Sequence, residues 1–215
     1  MRAKRLNKIV SALPQCNVLA DVGCDHGYVG IQALEHGIAR KVIFVDISND
    51  CLKKAEENCP AALKDNASFV CQDGLRHITA DAAVIAGMGG LEIISILTNA
   101  ERLPQKLVLQ PMRNVPDVRA YVAEQYAITL DEKFKDGKFY DLIVAEYTGK
   151  STALSETELE FGVTNLTAPT KDFVDFLLAE QNKLNGILAE HDIEEVRARL
   201  GSVNKALEIT RRKQL

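Results

Sequence analysis

The sequence predicts an α/β protein in which a mostly parallel sheet ends in an antiparallel hairpin and is followed by a helical hairpin. Three observations lead to this prediction. Short, continuously apolar segments alternate with amphipathic segments up to residue 126, which is typical of parallel strands covered by helices on both faces. Two alternating segments then flank a DGK turn, and two apolar stripes at helical spacing fill the C-terminal part of the chain.

The predicted elements of the first part follow one another regularly. An amphipathic helix spans residues 2–12 and ends before Pro14, because proline cannot continue a helix. The segments that follow are short and apolar, and the residues between them show the apolar spacing of helices. They therefore indicate strand–helix units of one sheet. Strands are predicted at 17–22, 41–47, 68–72, 81–88 and 106–110, with helices at 28–36, 50–58, 91–100 and 117–126.

The pattern changes after residue 126. The segment AITLDEKFKDGKFYDLIVAEY indicates an antiparallel hairpin at the sheet edge, an ending that class I methyltransferases have and plain NAD-binding sheets usually lack. Residues 149–169 are rich in Gly, Ser and Thr and are interpreted as a connector. Apolar stripes at 173–188 and 196–207 predict two paired helices, although no Gly or Pro forces a turn between them. We therefore expect one domain at 1–163 and a second at 164–215.

Composition excludes several classes of protein. Apolar residues make up 47% of the 215 residues and charged residues 26%, which is ordinary for a soluble globular protein. We find no signal peptide and no apolar run long enough to span a bilayer, so we expect a cytoplasmic protein. The five cysteines form no C-x-x-C pair, which argues against a disulfide framework and a zinc site, and we expect no bound metal.

The charge distribution suggests a polyanionic partner despite a net charge of −4. Both ends of the chain are locally basic, which could serve contacts with nucleic acid, although two solvated helix faces would give the same pattern. The first ten residues contain Arg2, Lys4, Arg5 and Lys8 without an acid, and the last segment contains basic residues at 197, 199, 205, 211, 212 and 213 against Glu208.

The segment DVGCDHGYVG at 21–30 follows the first predicted strand of the sheet and begins a helix. This places it where parallel sheets bind their ligands. Gly23 and Gly27 would let the backbone approach a ligand closely. Their spacing does not match the dinucleotide fingerprint G-x-G-x-x-G, and Asp25 would repel a pyrophosphate. The loop therefore favours a cationic or zwitterionic ligand.

Acidic residues close three successive strands: Asp21, Asp46 and Asp73. Asp46 could accept the hydroxyls of a ribose, and Asp73 the amino group of an adenine. Together they suit S-adenosylmethionine, which has a positively charged amino-acid end and no phosphate. Taken singly, Asp46 could be a strand-end cap and Asp73 a turn former before Gly74. The glycines of AGMGG at 86–90 would admit a planar substrate beside the sulfonium, or simply form a tight turn.

DVGCDHGYVG, CQDGL, IAGMGG, LVLQPM and EKFKDGKFYDLIVAE, in this order, resemble the bacterial TrmK family over nearly the whole chain. That family joins a Rossmann-like methyltransferase domain to a C-terminal coiled coil and methylates N1 of adenine 22 in tRNA with S-adenosylmethionine. Gly30 and Val163 stand where proline is frequent in the family. The resemblance implies that Asp21, Gly23 and Gly27 line the methionine end of the cofactor and that Asp46, beside Ile47, holds the ribose. It also implies that Gln72 and Asp73 contact the adenine and that Gly87 and Met88 lie at the sulfonium. Arg5 and Leu6 would close over the cofactor.

The resemblance also implies a mechanism and a partner. We expect Asp25 to stabilise the positive charge that develops on the adenine or to accept a proton from its N6, and His26 to orient Asp25 or to contact RNA. Both could instead brace the cofactor loop. The tRNA would lie on the basic N-terminal helix and the C-terminal helices, with Arg113 as a third contact. Methylation of another RNA, a protein or a small molecule remains an alternative, as does a non-catalytic cofactor-binding module, and the oligomeric state is open.

Overall fold

A computed structural model describes residues 3–213 of the chain. Arg2, which belongs to the predicted basic N-terminal segment, lies outside the described residues. A helix at the N-terminus precedes the strands, as expected. The strands are β1 (Cys16–Val22), β2 (Ala39–Asp46), β3 (Ala67–Cys71), β4 (Ala82–Met88), β5 (Lys106–Pro111), β6 (Tyr126–Asp136) and β7 (Lys138–Tyr147).

The seven strands form one sheet in the order β3-β2-β1-β4-β5-β7-β6. β1 to β5 are parallel, while β7 runs antiparallel to both β5 and β6. The chain order reverses between β1 and β4, and ligands bind beyond the carboxyl ends of the strands at such a switch point. The predicted fold, a mostly parallel sheet with a terminal antiparallel hairpin, is confirmed.

Helices cover both faces of the sheet. Leu19, Val84 and Val108 pack towards one face, and their neighbours Ala20, Ile85 and Leu109 pack towards the other, because successive side chains of a strand alternate. The helices are α1 (Ala3–Ser11), α2 (Tyr28–Glu35), α3 (Asn49–Asn58), a 3-10 helix (Ala61–Asn66), α4 (Gly90–Thr98), α5 (Val115–Ala123), α6 (Glu156–Phe161), α7 (Val163–Thr167), α8 (Lys171–Glu190) and α9 (Glu194–Lys213).

The predicted connector at 149–169 contains two short helices, so that prediction was wrong for α6 and α7. Ser155 begins α6 with a capping box: its Oγ accepts the N–H of Glu158, and its own N–H donates to Glu158 Oε2. Phe161 and Leu166 are buried with the C-terminal helices. Phe161 precedes the predicted domain boundary at residue 163, so the apolar core of the C-terminal helices includes a residue from before that boundary.

The C-terminal helices α8 and α9 pack antiparallel, as the two stripes predicted, around a core that includes Phe173, Leu177, Val203 and Leu207. Gln181 Nε2 on α8 donates to Asn204 Oδ1 on α9 across 2.6 Å. This pairing brings the last turn of α9 beside the first turn of α8. Within residues 3–213, no helix is both long enough and apolar enough to cross a membrane.

A buried ionic cluster joins α5 and α6 to the β6–β7 hairpin. The guanidinium of Arg119 on α5 donates to both carboxylate oxygens of Asp131 on β6, at 2.8 and 2.9 Å, and to Asp141 on β7 at 3.2 Å. It also donates to the carbonyl oxygens of Leu159 and Glu160 on α6. Buried ions require partners of opposite charge, which Asp131 and Asp141 provide for Arg119. Because the same guanidinium also donates to α6, the cluster fixes α6 against the β6–β7 hairpin.

Candidate active site

A cavity of about 1080 Å³ opens at the carboxyl ends of the strands, around the switch point. Its wall combines the loops after β1, β2, β3 and β4 with α1 and the turn of the β6–β7 hairpin. The sequence-predicted site residues come together here, with the exception of Gly27. Those that line the cavity are Arg5, Leu6, Asp21, Gly23, Asp25, His26, Asp46, Ile47, Gln72, Asp73, Gly87 and Met88.

The loop after β1 is held against β2 by its backbone. Gly23 N–H donates to Val45 O at 2.8 Å, and Gly23 adopts a φ of 68°, which favours glycine. A Cβ at Gly23 would lie 1.9 Å from the Cε of Met88. The absent side chain therefore lets Met88 pack directly on the loop, so two predicted site residues determine each other's position.

Gly27 lies on the inner side of the same loop. A Cβ there would lie 2.9 Å from the Cβ of Ala55 on α3 and 3.2 Å from the ring of Phe44. Its φ of 71° is also in the left-handed region. The structure thus gives Gly27 a packing reason to be glycine, at the join between loop, helix and sheet, rather than a place on the cavity wall.

Asp21 is buried at the base of the cavity, with 5% of its surface exposed. The pKa of its carboxyl is raised to about 7, mainly by burial; the hydrogen bond from Gly30 opposes this increase, and the negative charge of nearby Asp46 adds to it. The Gly30 N–H reaches Asp21 Oδ2 at 2.9 Å. A proline at position 30, frequent in the resembled family, could not donate this hydrogen bond.

Asp46 is half-buried at the end of β2, and each of its carboxylate oxygens accepts a backbone N–H. Oδ2 accepts from Asp25 at 3.2 Å and Oδ1 from Ser48 at 2.9 Å. Asp73 follows the end of β3 and is exposed. Beside it, Gln72 Nε2 donates to Gly74 O at 2.9 Å, which orders this turn. The three strand ends therefore present carboxylates on one wall.

Asp25 and His26 stand at the opening of the cavity. The Asp25 side chain is 64% exposed, and its Oδ2 lies 3.9 Å from His26 Nε2. The His26 ring stacks on Tyr28, with ring centroids 5.4 Å apart and planes inclined by 11°. Asp25 has a φ of 48°, which is uncommon for a side chain other than glycine. Together, an exposed carboxylate and a flat aromatic pair flank the entrance.

Sequence reasoning missed Asp136 and Tyr140, which line the cavity from the β6–β7 hairpin. The Arg5 N–H donates to Asp136 Oδ2 at 2.9 Å, and the Arg5 guanidinium lies 5.2 Å from the Tyr140 ring centroid. The strand directions contained the signal. Since β7 is antiparallel to β5, the turn between β6 and β7 returns to the carboxyl edge of the parallel strands.

The wall has features that fit a bound nucleoside with an amino-acid end. Arg5 Nε is buried and has no hydrogen-bond partner among the described residues, which costs free energy unless an acceptor occupies the cavity. A Cβ at Gly87 would lie 2.8 Å from the Arg5 guanidinium, so glycine makes room for that cation. Among residues 3–213, no group of three or more His, Cys, Asp or Glu side chains could hold a metal ion.

Comparisons with known proteins agree with this geometry. Residues 2–143 match the family model described as a methyltransferase domain. The chain is 31% identical, over 189 residues, to the tRNA (adenine(22)-N(1))-methyltransferase of Bacillus subtilis; the alignment covers 84% of this chain and 76% of that protein. The chain belongs to the TrmK family of methyltransferases.

Two further proteins are similar. One from Mycoplasma pneumoniae, assigned as a tRNA methyltransferase, is 34% identical over 133 residues, which is 58% of this chain and 61% of that protein. Thus the alignment spans less than two thirds of this relative's length. The structure of Streptococcus pneumoniae Sp1610 in complex with S-adenosyl-L-methionine has a TM-score of 0.84 and 26% identity, and covers 95% of this chain and 99% of that chain.

The basic residues of this TrmK-family chain differ in whether they are paired within the protein. On α1, Lys4 Nζ donates to Lys135 O at 2.6 Å, and Lys8 Nζ pairs with Glu132 at 2.7 Å. On α9, Arg197, Arg199 and Arg212 form ion pairs with Asp192, Glu160 and Glu208. The exposed basic residues of α9 outside these pairs are Lys205, Arg211 and Lys213, and they define the α9 basic surface.

Proposed function

We propose that this chain transfers a methyl group from S-adenosylmethionine to N1 of adenine 22 in tRNA. The observation that carries the proposal is the cavity at the switch point, lined by Asp21, Asp46 and the turn at Asp73. Three acidic strand ends suit a cationic nucleoside and repel a diphosphate. The Bacillus subtilis relative, aligned over 84% of this chain, supports adenine 22 as the target.

Each part of the cofactor would have its own contacts. Asp46 would accept the ribose hydroxyls, since its two oxygens have further lone pairs beside the N–H groups they already accept. Gln72 and Asp73 would contact the adenine. Asp21 and Gly23 would line the methionine end, where the partnerless Nε of Arg5 would donate to the cofactor's carboxylate. The remaining predicted lining residues, Leu6, Ile47, Gly87 and Met88, would supply the apolar and backbone walls.

The chemistry requires little of the protein beyond placement. S-adenosylmethionine, when bound, supplies a methyl group on a positively charged sulfur. Adenine N1 already carries an available lone pair, so the residues need only hold the base in line with that methyl group. Asp25, exposed at the entrance, would stabilise the positive charge that arises on the base or accept a proton from N6. His26, 3.9 Å away, would orient Asp25.

The α9 basic surface supports the RNA part of the proposal. The antiparallel pairing of α8 and α9 brings Arg211 and Lys213 beside the start of α8. There, Asp172 Oδ2 accepts the Lys135 N–H at 2.9 Å, and Lys135 immediately precedes the hairpin turn of the cavity wall. Arg211 and Lys213 of the α9 basic surface would therefore lie towards the end of the molecule that carries the cavity. Lys4 and Lys8 of α1 are already paired within the protein and would contribute less to tRNA binding than the α9 basic surface.

The decisive experiment incubates the protein with S-adenosylmethionine labelled on the methyl group and bulk bacterial tRNA, followed by nucleoside mapping. We expect the label in 1-methyladenosine at position 22, and none in a transcript in which guanosine replaces adenine 22. Label on an exocyclic amine, or transfer to the guanosine-22 transcript, would assign another substrate. Cofactor binding without any transfer to tRNA would instead indicate a binding module or a different acceptor.

A further inference from the structure

Several exposed apolar side chains lie along the edge of the sheet that carries the cavity. The structure exposes seven large apolar or aromatic side chains in the described part of the chain, and four of them follow the carboxyl ends of strands. Solvent exposure of such side chains is unfavourable, and a local concentration marks an interaction surface. The four are Tyr28 after β1, Ile47 after β2, Leu91 after β4 and Met112 after β5, with exposures of 40%, 74%, 61% and 41%.

Leu91 and Met112 belong to one rigid edge. The N–H of Met112 donates to Met88 O at 2.8 Å, and the N–H of Gly90 donates to Arg113 O at 3.0 Å. A Cβ at Gly90 would lie 2.7 Å from that same Arg113 oxygen. Only glycine allows the two segments to approach this closely, so the GMGG turn holds the backbone before Leu91 beside the segment that carries Met112.

This edge continues directly into the cavity wall. Met88 and Glu92, which precede and follow Leu91 in the chain, both line the cavity. Arg113 is exposed on the same edge, and its Nε lies 2.9 Å from the position of a Gly89 Cβ. Two apolar side chains with an adjacent cation match a nucleic-acid strand, in which stacked bases lie beside a backbone of anionic phosphates.

We propose that Leu91 and Met112 form a wedge that enters the base stack of the RNA and fills the space left by the extruded target adenine, while Arg113 contacts a neighbouring phosphate. This inference rests on the proposed function. Adenine N1 lies on the pairing edge of the base, so the base must leave the stack to reach the cavity. Apolar side chains inserted between bases are an established way to compensate for lost stacking.

The test uses tRNA that carries 2-aminopurine in place of the target adenine, since its fluorescence rises when the base unstacks. We expect wild-type protein to raise the fluorescence, and we expect the rise caused by L91A/M112A to be at most one third as large. On ordinary tRNA, kcat/KM should fall about tenfold or more, because the cost of unstacking the target adenine is no longer offset. The affinity for S-adenosylmethionine, measured by calorimetry, should stay the same.

Two controls make the result specific. Leu178→Ala removes another exposed leucine, on α8 and 38% exposed, and should behave like wild type in both assays. A substrate whose target adenine is already unstacked, placed opposite an abasic site, should restore most of the activity lost by L91A/M112A. Equal losses on paired and pre-unstacked substrates would overturn the wedge, because they would indicate damage to the site itself.

Other outcomes also decide the question. Unchanged fluorescence and kcat/KM in L91A/M112A would overturn the wedge while methylation by wild type would still support the proposed function. If wild type does not methylate adenine 22, both proposals fail. If sedimentation shows a wild-type dimer that L91A/M112A converts to monomer, the edge is a contact between copies of this chain and the wedge is wrong.

Discussion

The backbone N–H of Asp25 donates to the Oδ2 of Asp46 across 3.2 Å, which ties the loop after β1 to the end of β2. The other oxygen of Asp46 accepts the N–H of Ser48 at 2.9 Å. One carboxylate therefore shapes the loop that carries Asp25 and, in the proposed function, also accepts the ribose hydroxyls. Replacing Asp46 removes both effects at once.

Asp46→Ala should weaken the binding of S-adenosylmethionine about ten- to hundredfold, because hydrogen bonds to a charged group contribute about 1.5–3 kcal/mol. Isothermal titration calorimetry measures this change. Asp65→Ala removes an exposed carboxylate from the 3-10 helix, which does not line the cavity, and serves as the matched control. An unchanged dissociation constant for Asp46→Ala would exclude Asp46 from the cofactor site.

Asp21 should make stability depend on pH. Burial raises its pKa from 3.8 to about 7 in the folded protein, whereas the unfolded chain keeps the ordinary value. Between these two pKa values the folded state binds a proton that the unfolded state has lost, so the contribution of Asp21 to the free energy of unfolding falls as pH rises from about 4 to about 7. Outside this window the contribution should be constant.

Urea unfolding of wild type and Asp21→Asn at several pH values isolates this contribution, since the other titrating groups are common to both proteins. We expect wild type to lose stability relative to Asp21→Asn as pH rises through the window. A difference between the two proteins that does not change with pH would show that Asp21 titrates normally in the folded state.

Arg119→Met should destabilise the protein by about 3–5 kcal/mol, because it leaves the buried carboxylate of Asp131 without its main partner. Arg119 and Asp131 are only 1% and 0% exposed, so water cannot replace the lost ion pair. Urea unfolding gives the change in free energy. Arg102→Met, at an exposed arginine, should change stability by less than about 0.5 kcal/mol. Similar effects of the two substitutions would contradict the structural role of the cluster.

Replacing Lys205, Arg211 and Lys213 with alanine should weaken tRNA binding and reduce its salt dependence, by about one unit of logarithmic slope for each phosphate that the protein no longer neutralises. Filter binding at several salt concentrations measures both quantities. The triple variant of Lys53, Lys54 and Lys64, all exposed on α3 and the 3-10 helix, removes the same charge elsewhere. Equal effects of the two triple variants would indicate a nonspecific charge effect.

Much of the site could be predicted because its residues are adjacent to local patterns. An apolar strand followed by an acid locates Asp46, and the parallel arrangement of the strands then brings Asp46 and Gln72 to one wall. Helices α6 and α7 were missed, although Ser155 and Glu158 form a capping box in the sequence itself. The pattern was present, but both helices are too short to show apolar periodicity.

The remaining features depend on contacts between distant parts of the chain. Lys8 of the basic N-terminal segment pairs with Glu132, and Arg5 meets Asp136, across more than a hundred residues of sequence. No local pattern indicates that the hairpin pairs with the Lys8 ammonium and accepts the backbone N–H of Arg5. At Gly27 a Cβ would lie against Ala55 because α3 packs behind the loop, and its contact with the cofactor stays a prediction.

The sequence by itself determined the alternation of strands and helices in the sheet, the family, and the series of acids at the strand ends, since hydrophobic periodicity and turn chemistry act over a few residues. Only the tertiary structure decided which charges remain free, how far burial shifts the pKa of Asp21, and that Leu91 and Met112 share one edge. Desolvation and pairing depend on neighbours that folding brings from elsewhere in the chain, and local sequence does not contain them.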